Sequence, residues 1–296
     1  MECLDEYLLE KVIACAVFGG VEEENPRLTR PCWGVDTAKV AVRLSSVCTL
    51  WRCIVHEILK NSRNVAIRQA IRSAEELEAS RFLFHHASTH VRDVDLSRSA
   101  FKYSKHFCDI LYPHCKNLQT LDLSYGSMKE HDLSRCLRLV AEAGLPKIRR
   151  LRTAHAPDTA GSGDWIKYTP HLEELDVSFC HRWNPLCRQQ GDRALAWLQL
   201  GENLKRLSLT GCEQFELSSW WMYSPVTFYK LKVLNIAYVA SVTDDNLMAL
   251  INHCTPSLVE ILLTRNSFNN YNVGGYVSES AVIFLQSKNI KVSFVS

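Results

Sequence analysis

Apolar and polar positions alternate in one short pattern that recurs along the chain from about residue 91 onward. An apolar residue is followed by two variable ones, an apolar residue, one variable, and an apolar residue, and often Cys or Asn closes the segment. Leu172-Glu-Glu-Leu175-Asp-Val177-Ser-Phe-Cys180 and Leu204-Lys-Arg-Leu207-Ser-Leu209-Thr-Gly-Cys212 show it most cleanly. Leu118-Leu121-Leu123, Leu231-Leu234-Ile236 and Leu258-Ile261-Leu263-Asn266 keep the same spacing. Val91-Val94-Leu96 and Ile148-Leu151-Thr153 are weaker copies, and Ile290-Lys-Val292-Ser-Phe294 lacks the full lead-in. Alternation over so few residues predicts a short strand with one buried face.

The middle apolar positions are Val94, Leu121, Leu151, Leu175, Leu207, Leu234, Ile261 and Val292, separated by 24 to 32 residues. That spacing is the long leucine-rich-repeat period, in which each unit contributes one strand and one helix. One unit cannot bury its own apolar face, so neighbours stack into a continuous core. The expected fold is therefore an α/β leucine-rich-repeat solenoid, a horseshoe arc of about eight strand-helix units over residues 91–296. The closing Cys or Asn is expected to turn the chain inward, where a small polar group meets the backbone of the next turn.

Ahead of the repeats the pattern is helical. Leu4, Leu8, Leu9 and Val12 form one stripe, and Asp5 and Glu6 occupy the first turn, where the helix dipole favours negative charge. Residues 19–37 have loop composition, with three glutamates and two prolines. A dense apolar block follows from about Ala38 to Lys60, too apolar for one amphipathic helix, and predicts two short packed helices. Residues 61–90 read as a helical connector with Ala66, Ile67, Ala70 and Ile71 on one face.

Leu44-Ser45, Val47-Cys48 and Trp51-Arg52, together with Leu4 and Leu8, resemble the F-box, a small all-helical module that docks on the Skp-family adaptor of cullin-based ubiquitin ligases. Asp5 stands where that family usually has Pro, and the loop before the second helix is about a dozen residues longer than usual. The order, with an F-box-like module at 1–60 and repeats behind it, is that of the F-box/leucine-rich-repeat substrate receptors. Val242-Thr-Asp-Asp-Asn-Leu-Met-Ala-Leu-Ile-Asn-His-Cys also looks like that family's helix half. The resemblance implies that Leu4, Leu8, Val47, Cys48 and Trp51 bind the adaptor, and through it a cullin-RING ligase in the SCF arrangement. It further implies that the repeats hold a protein substrate for ubiquitin conjugation. The alternative is a leucine-rich-repeat scaffold or inhibitor whose N-terminal helices only cap the first repeat.

Strand positions beside the apolar ones should line the concave face. They are Asp93, Asp95 and Asp122, then Arg150 and Arg152, then Glu174 and Asp176, then Arg206, an acidic first half with an arginine band. Such a row is either an ordinary solvated strand face or a surface for a partner with a basic segment. Two places interrupt the repeat with aromatic groups, Trp220-Trp221-Met222-Tyr223 and the loop 266–276 with Phe268 and Tyr271. The segment at 220–223 either packs into the core on the convex side or leaves a Trp exposed as an interface anchor. Repeat insertions often sit on a binding face, so Trp220, Trp221 and Tyr271 are further substrate-binding candidates.

Composition narrows the classes. A net charge of +2 leaves no excess of Lys and Arg for a nucleic-acid surface. Twelve cysteines without a signal segment or glycosylation sequon fit a reduced intracellular protein, cytoplasmic or nuclear, better than a disulfide framework. No apolar run approaches a membrane span. Cys180-His181 with Cys187 lacks the paired half of a zinc site, and His56-Glu57 lacks the second His of a zinc peptidase helix. No nucleophile or phosphate-loop motif appears. The expectation is a non-enzymatic binding protein without metal or cofactor, monomeric outside its ligase complex.

Overall fold

The repeat centres are strand centres. The structure, a computed structural model, describes residues 64–66, 80–81, 91–98, 117–142, 148–160, 163–181, 183, 200–218, 228–253, 255–264 and 277–295. It divides into two compact units, Met1–Leu121 and Asp122–Ser296. In the first, β1 (Asn64–Ala66) and β2 (Asp93–Asp95) pair in parallel with Val65 opposite Val94. The amides of Gln119 and Thr120 donate to Arg92 O at 2.7 and 2.9 Å, at the start of β3 (Thr120–Asp122), which lies on the boundary.

The second unit carries β4 (Arg150–Arg152), β5 (Glu174–Asp176), β6 (Arg206–Ser208), β7 (Val233–Asn235), β8 (Glu260–Thr264) and β9 (Lys291–Val295). All pair in parallel in chain order, and one register line runs Leu151, Leu175, Leu207, Leu234, Ile261, Val292. Parallel neighbours require a crossover between strands, which is the role of the second half of each repeat. The central residues from Val94 to Ile261 are at most 2% exposed, so the repeat's apolar positions are its core.

The same bonds recur in every turn. The residue after each of five strands donates to the third residue of the next strand: Leu123 to Arg152, Thr153 to Asp176, Val177 to Ser208, Leu209 to Asn235 and Ile236 to Leu262, at 2.8–3.1 Å. The Cys position meets backbone, but that of the preceding repeat and not, as expected, that of the next turn. Cys180 Sγ donates to Thr153 O and Cys212 Sγ to Val177 O, both at 3.1 Å.

Helices complete several units: α1 (Glu130–Glu142), a one-turn α2 (Pro157–Ala160), α3 (Asp244–His253) and α4 (Glu279–Ser287), with a 3-10 helix at Asp164–Tyr168. Leu133, Cys136 and Leu137 form the buried stripe of α1, and Leu247, Leu250 and Ile251 that of α3. Thr243 Oγ1 accepts the Asn246 amide at 3.3 Å and Ser278 Oγ accepts that of Ala281, so both helices start on hydroxyl caps. Ser278 in turn donates its hydroxyl and its amide to the two carboxylate oxygens of Asp244, linking the starts of α3 and α4. Trp165, on the 3-10 helix, is fully buried, and its indole N–H donates to Ala160 O at 3.0 Å.

One element corrects the sequence reading. Residues 64–66, assigned there to a helical connector, form strand β1. Ser62-Arg-Asn-Val65-Ala-Ile67 keeps only the last two apolar positions of the repeat, with Ser62 in place of the first. A strand that pairs with a neighbour already in register needs less of its own pattern, because tertiary pairing outweighs local preference. The F-box-like residues 1–60 lie outside the described residues.

Candidate functional site

The charged candidates of the sequence reading lie on the strands. Asp93 and Asp95 begin and end β2, and Asp122 ends β3. Arg150 and Arg152 flank Leu151, Glu174 and Asp176 flank Leu175, and Arg206 opens β6. The arginines are exposed and the carboxylates half-buried. Trp220, Trp221 and Tyr271 fall outside the described residues, as do the adaptor residues Leu4, Leu8, Val47, Cys48 and Trp51.

Register decides the electrostatics of this face. Adjacent parallel strands lie about 4.8 Å apart, so side chains at one register position face each other across the ladder. One row runs Arg150, Glu174, Arg206, Val233, Glu260, Lys291, and its signs alternate at the first three positions. Arg150 Nε meets Glu174 at 3.5 Å and Lys291 Nζ meets Glu260 at 2.8 Å. In the next row Arg152 Nη1 lies 3.9 Å from Asp122. One residue before the strands, Glu173 takes Lys205 at 2.7 Å and Arg149 at 3.2 Å.

The acidic first half is therefore not a uniform anionic field in the second unit, because Asp122, Glu173 and Glu174 each have a cation from a neighbouring strand. Glu173 is held below the usual carboxylate range, chiefly by its hydrogen bond from Lys205. Glu260 is lowered likewise, by hydrogen bonds from Lys291 and then Ser293. Exposed pairs of this kind contribute about 0.2–1 kcal/mol each, so the ladder adds little to stability.

The aspartates have a second task. Asp95, Asp122 and Asp176 accept the amides of Ser97, Ser124 and Ser178 at 2.9–3.0 Å, and Asn235 accepts that of Ala237 at 3.2 Å. Each such turn leads the chain out of its strand. The next residue has positive φ in every case: Arg98 (61°), Tyr125 (58°), Phe179 (58°) and Tyr238 (57°), with His155 (54°) and Gly211 (65°) in the intervening repeats. Non-glycine residues adopt this region at a cost, and its recurrence makes it a property of the repeat.

At that position in the second unit the rings stack. Tyr125 and His155 lie 4.6 Å apart at 10°, and His155 and Phe179 lie 4.2 Å apart at 17°. The row ends over Gly211, where an added Cβ would stand 2.7 Å from Phe179 Cδ1. Tyr125 is 54% exposed, so the edges of the stack form a narrow aromatic strip beside the ion-pair ladder. Sequence reading missed this strip, although its signal is simple: an aromatic ring or imidazole three residues beyond the strand's end in consecutive repeats. Of the aromatic cluster around 220–229, Phe228 is core and Tyr229 is 66% exposed.

No helix among the described residues is long and apolar enough to cross a membrane. No family model and no curated protein matches the chain. Among solved structures, the chain is similar to an internalin from Listeria monocytogenes at 12% identity, with a TM-score of 0.48, over 82% of this chain and 63% of that one. It is similar to TLR13 in a complex with ssRNA13 at 15% identity and a TM-score of 0.43, over 69% and 28%. It is also similar to a chain of the yeast Rad7 and Elc1 complex at 11% identity and a TM-score of 0.40, over 93% and 88%. The chain spans less than two thirds of the length of the first two. With every score below 0.5, the fold assignment rests on the repeat register and on the bonds between turns.

Proposed function

We propose that this chain is the substrate receptor of an SCF-type ubiquitin ligase, with an F-box at residues 1–60 and leucine-rich repeats behind it. The observation that carries the reading is the near letter-for-letter F-box close at Leu44-Ser45, Val47-Cys48 and Trp51-Arg52, ahead of a repeat array whose strand face exposes paired charges. Leu4, Leu8, Val47, Cys48 and Trp51 make the adaptor surface. The strand face from Asp122 to Arg206 and the aromatic strip beside it hold a protein substrate. No bond is made or broken by this chain. It acts by proximity, since holding the target beside a ubiquitin-loaded enzyme raises its effective concentration.

Asp5 in place of Pro and the long loop 19–37 favour a second reading, in which the helices only cap the repeats of a binding scaffold. Capture of a purified Skp-family adaptor by the full-length protein separates the two. Wild type retains the adaptor, and Trp51→Ala weakens it by at least ~2 kcal/mol, as loss of a central aromatic anchor does. Failure of wild type to capture adaptor, or equal capture by a folded Trp51→Ala variant, leaves the scaffold reading.

A further inference from the structure

Away from the strand face, α1 and the 3-10 helix Asp164–Tyr168 enclose a cleft of about 370 Å³. The two are joined by Glu130, whose Oε1 accepts the Asp164 amide at 3.0 Å. On α1, His131, Arg135 and Arg138 lie along one stripe at the four- and three-residue spacing that aligns side chains on a helix. Lys167 faces them from the other wall, with its ammonium 5.2 Å from the Tyr168 ring centroid.

Charge accounting favours an anion. Arg135 and Lys167 are exposed and make no ion pair among the described residues. Among the described residues Arg138 meets only Glu142, at 3.7 Å with both side chains more than half exposed, a pair that costs little to displace. The cleft's two carboxylates, Glu130 and Asp164, face three permanent cations, and Glu130 also accepts a backbone N–H. His131 lies 3.2 Å from the carboxylate of Asp132. The Ser134 hydroxyl also lines the cleft, buried and without a hydrogen-bond partner among the described residues, and such groups are ordinarily satisfied.

We propose that this cleft binds a phosphate oxyanion, either free or carried on a phosphorylated side chain. The two arginines present planar forks suited to phosphate oxygens, and Lys167 adds a point charge from the opposite wall. Nothing in this proposal depends on the F-box reading, and its test involves no adaptor.

The test is titration of the full chain with inorganic phosphate, phosphoserine and serine, followed through the arginine side-chain resonances. Wild type saturates with phosphate or phosphoserine at concentrations on the order of 1 mM or below, and serine has no effect. At least tenfold tighter binding of phosphoserine identifies a phosphorylated side chain as the source, and equal or weaker binding identifies free phosphate. Because Arg135 and Lys167 are exposed, Arg135→Gln with Lys167→Gln keeps the thermal midpoint of wild type and loses at least tenfold in affinity. Arg135→Lys, which keeps charge but not the fork, falls between. Lack of saturation by either phosphate probe, or wild-type affinity in the double variant, overturns the proposal.

Discussion

Gly211→Ala tests whether the stacked row beyond the strands is a connected structure. Two costs arise at that position. The backbone stands at φ +65°, a conformation that costs a residue with a Cβ about 1–2 kcal/mol. The new Cβ would also lie 2.7 Å from Phe179 Cδ1 and 3.0 Å from Cε1. A lone ring would swing away, but this one is stacked at 4.2 Å on His155, which is stacked at 4.6 Å on Tyr125. The ring can yield only by disturbing the row, and overpacking of this kind costs about 1–3 kcal/mol. We therefore expect Gly211→Ala to destabilise by about 2–5 kcal/mol in wild type but by only about 1–2 kcal/mol in Phe179→Ala, where the clash is gone. Urea unfolding followed by circular dichroism of the four proteins closes the double-mutant cycle. Equal costs of Gly211→Ala in both backgrounds would refute the stacked row as a constraint and leave only the backbone effect.

Leu207→Ala, at a fully packed strand centre, should cost about 2–5 kcal/mol, and hydrogen exchange should rise in the repeats of β5 and β7 as well as its own, since stability in such arrays is shared between neighbours. Undisturbed exchange in those repeats would contradict this. Burial pushes the Cys180 thiol up from 9.0 to about 11, and Cys212 is raised for the same reason. Both stay protonated in the folded state, so native protein should resist iodoacetamide at these two sites at pH 8 until denatured. Because a raised pKa favours the neutral form in the fold, their contribution to stability is complete below about pH 9 and declines as pH rises from 9 towards 11; a flat urea midpoint across that window would argue against it. Reversing Asp122, Glu174 and Asp176 to Lys sets like charges against Arg150 and Arg152, and should abolish salt-sensitive capture of protein partners while adaptor capture persists. Unchanged partners after the triple reversal would move the binding face elsewhere.

The repeat was legible because its cause is local. A strand with one buried face must alternate, and a unit of about 28 residues must repeat that alternation to stack. Hence the eight strand centres from Val94 to Val292 could be placed from residue types alone. What each strand meets was not legible. Arg152 pairs with Asp122 and Arg150 with Glu174, partners that are dozens of residues apart and joined only by register. From the sequence the carboxylates look like an anionic patch, and in the fold neighbouring strands set cations against Asp122, Glu173 and Glu174. The same holds for Tyr125, His155 and Phe179, ordinary turn residues in the sequence that become one stack because successive turns superpose. Arg135, Arg138 and Lys167 likewise form a cleft only once α1 packs beside the 3-10 helix, and β1 became a strand by pairing with β2 despite its incomplete pattern. Periodicity reports which side of an element is buried, because burial acts on each residue separately. Pairing between elements depends on distances that exist only after the chain has folded, and so it was left to the tertiary structure.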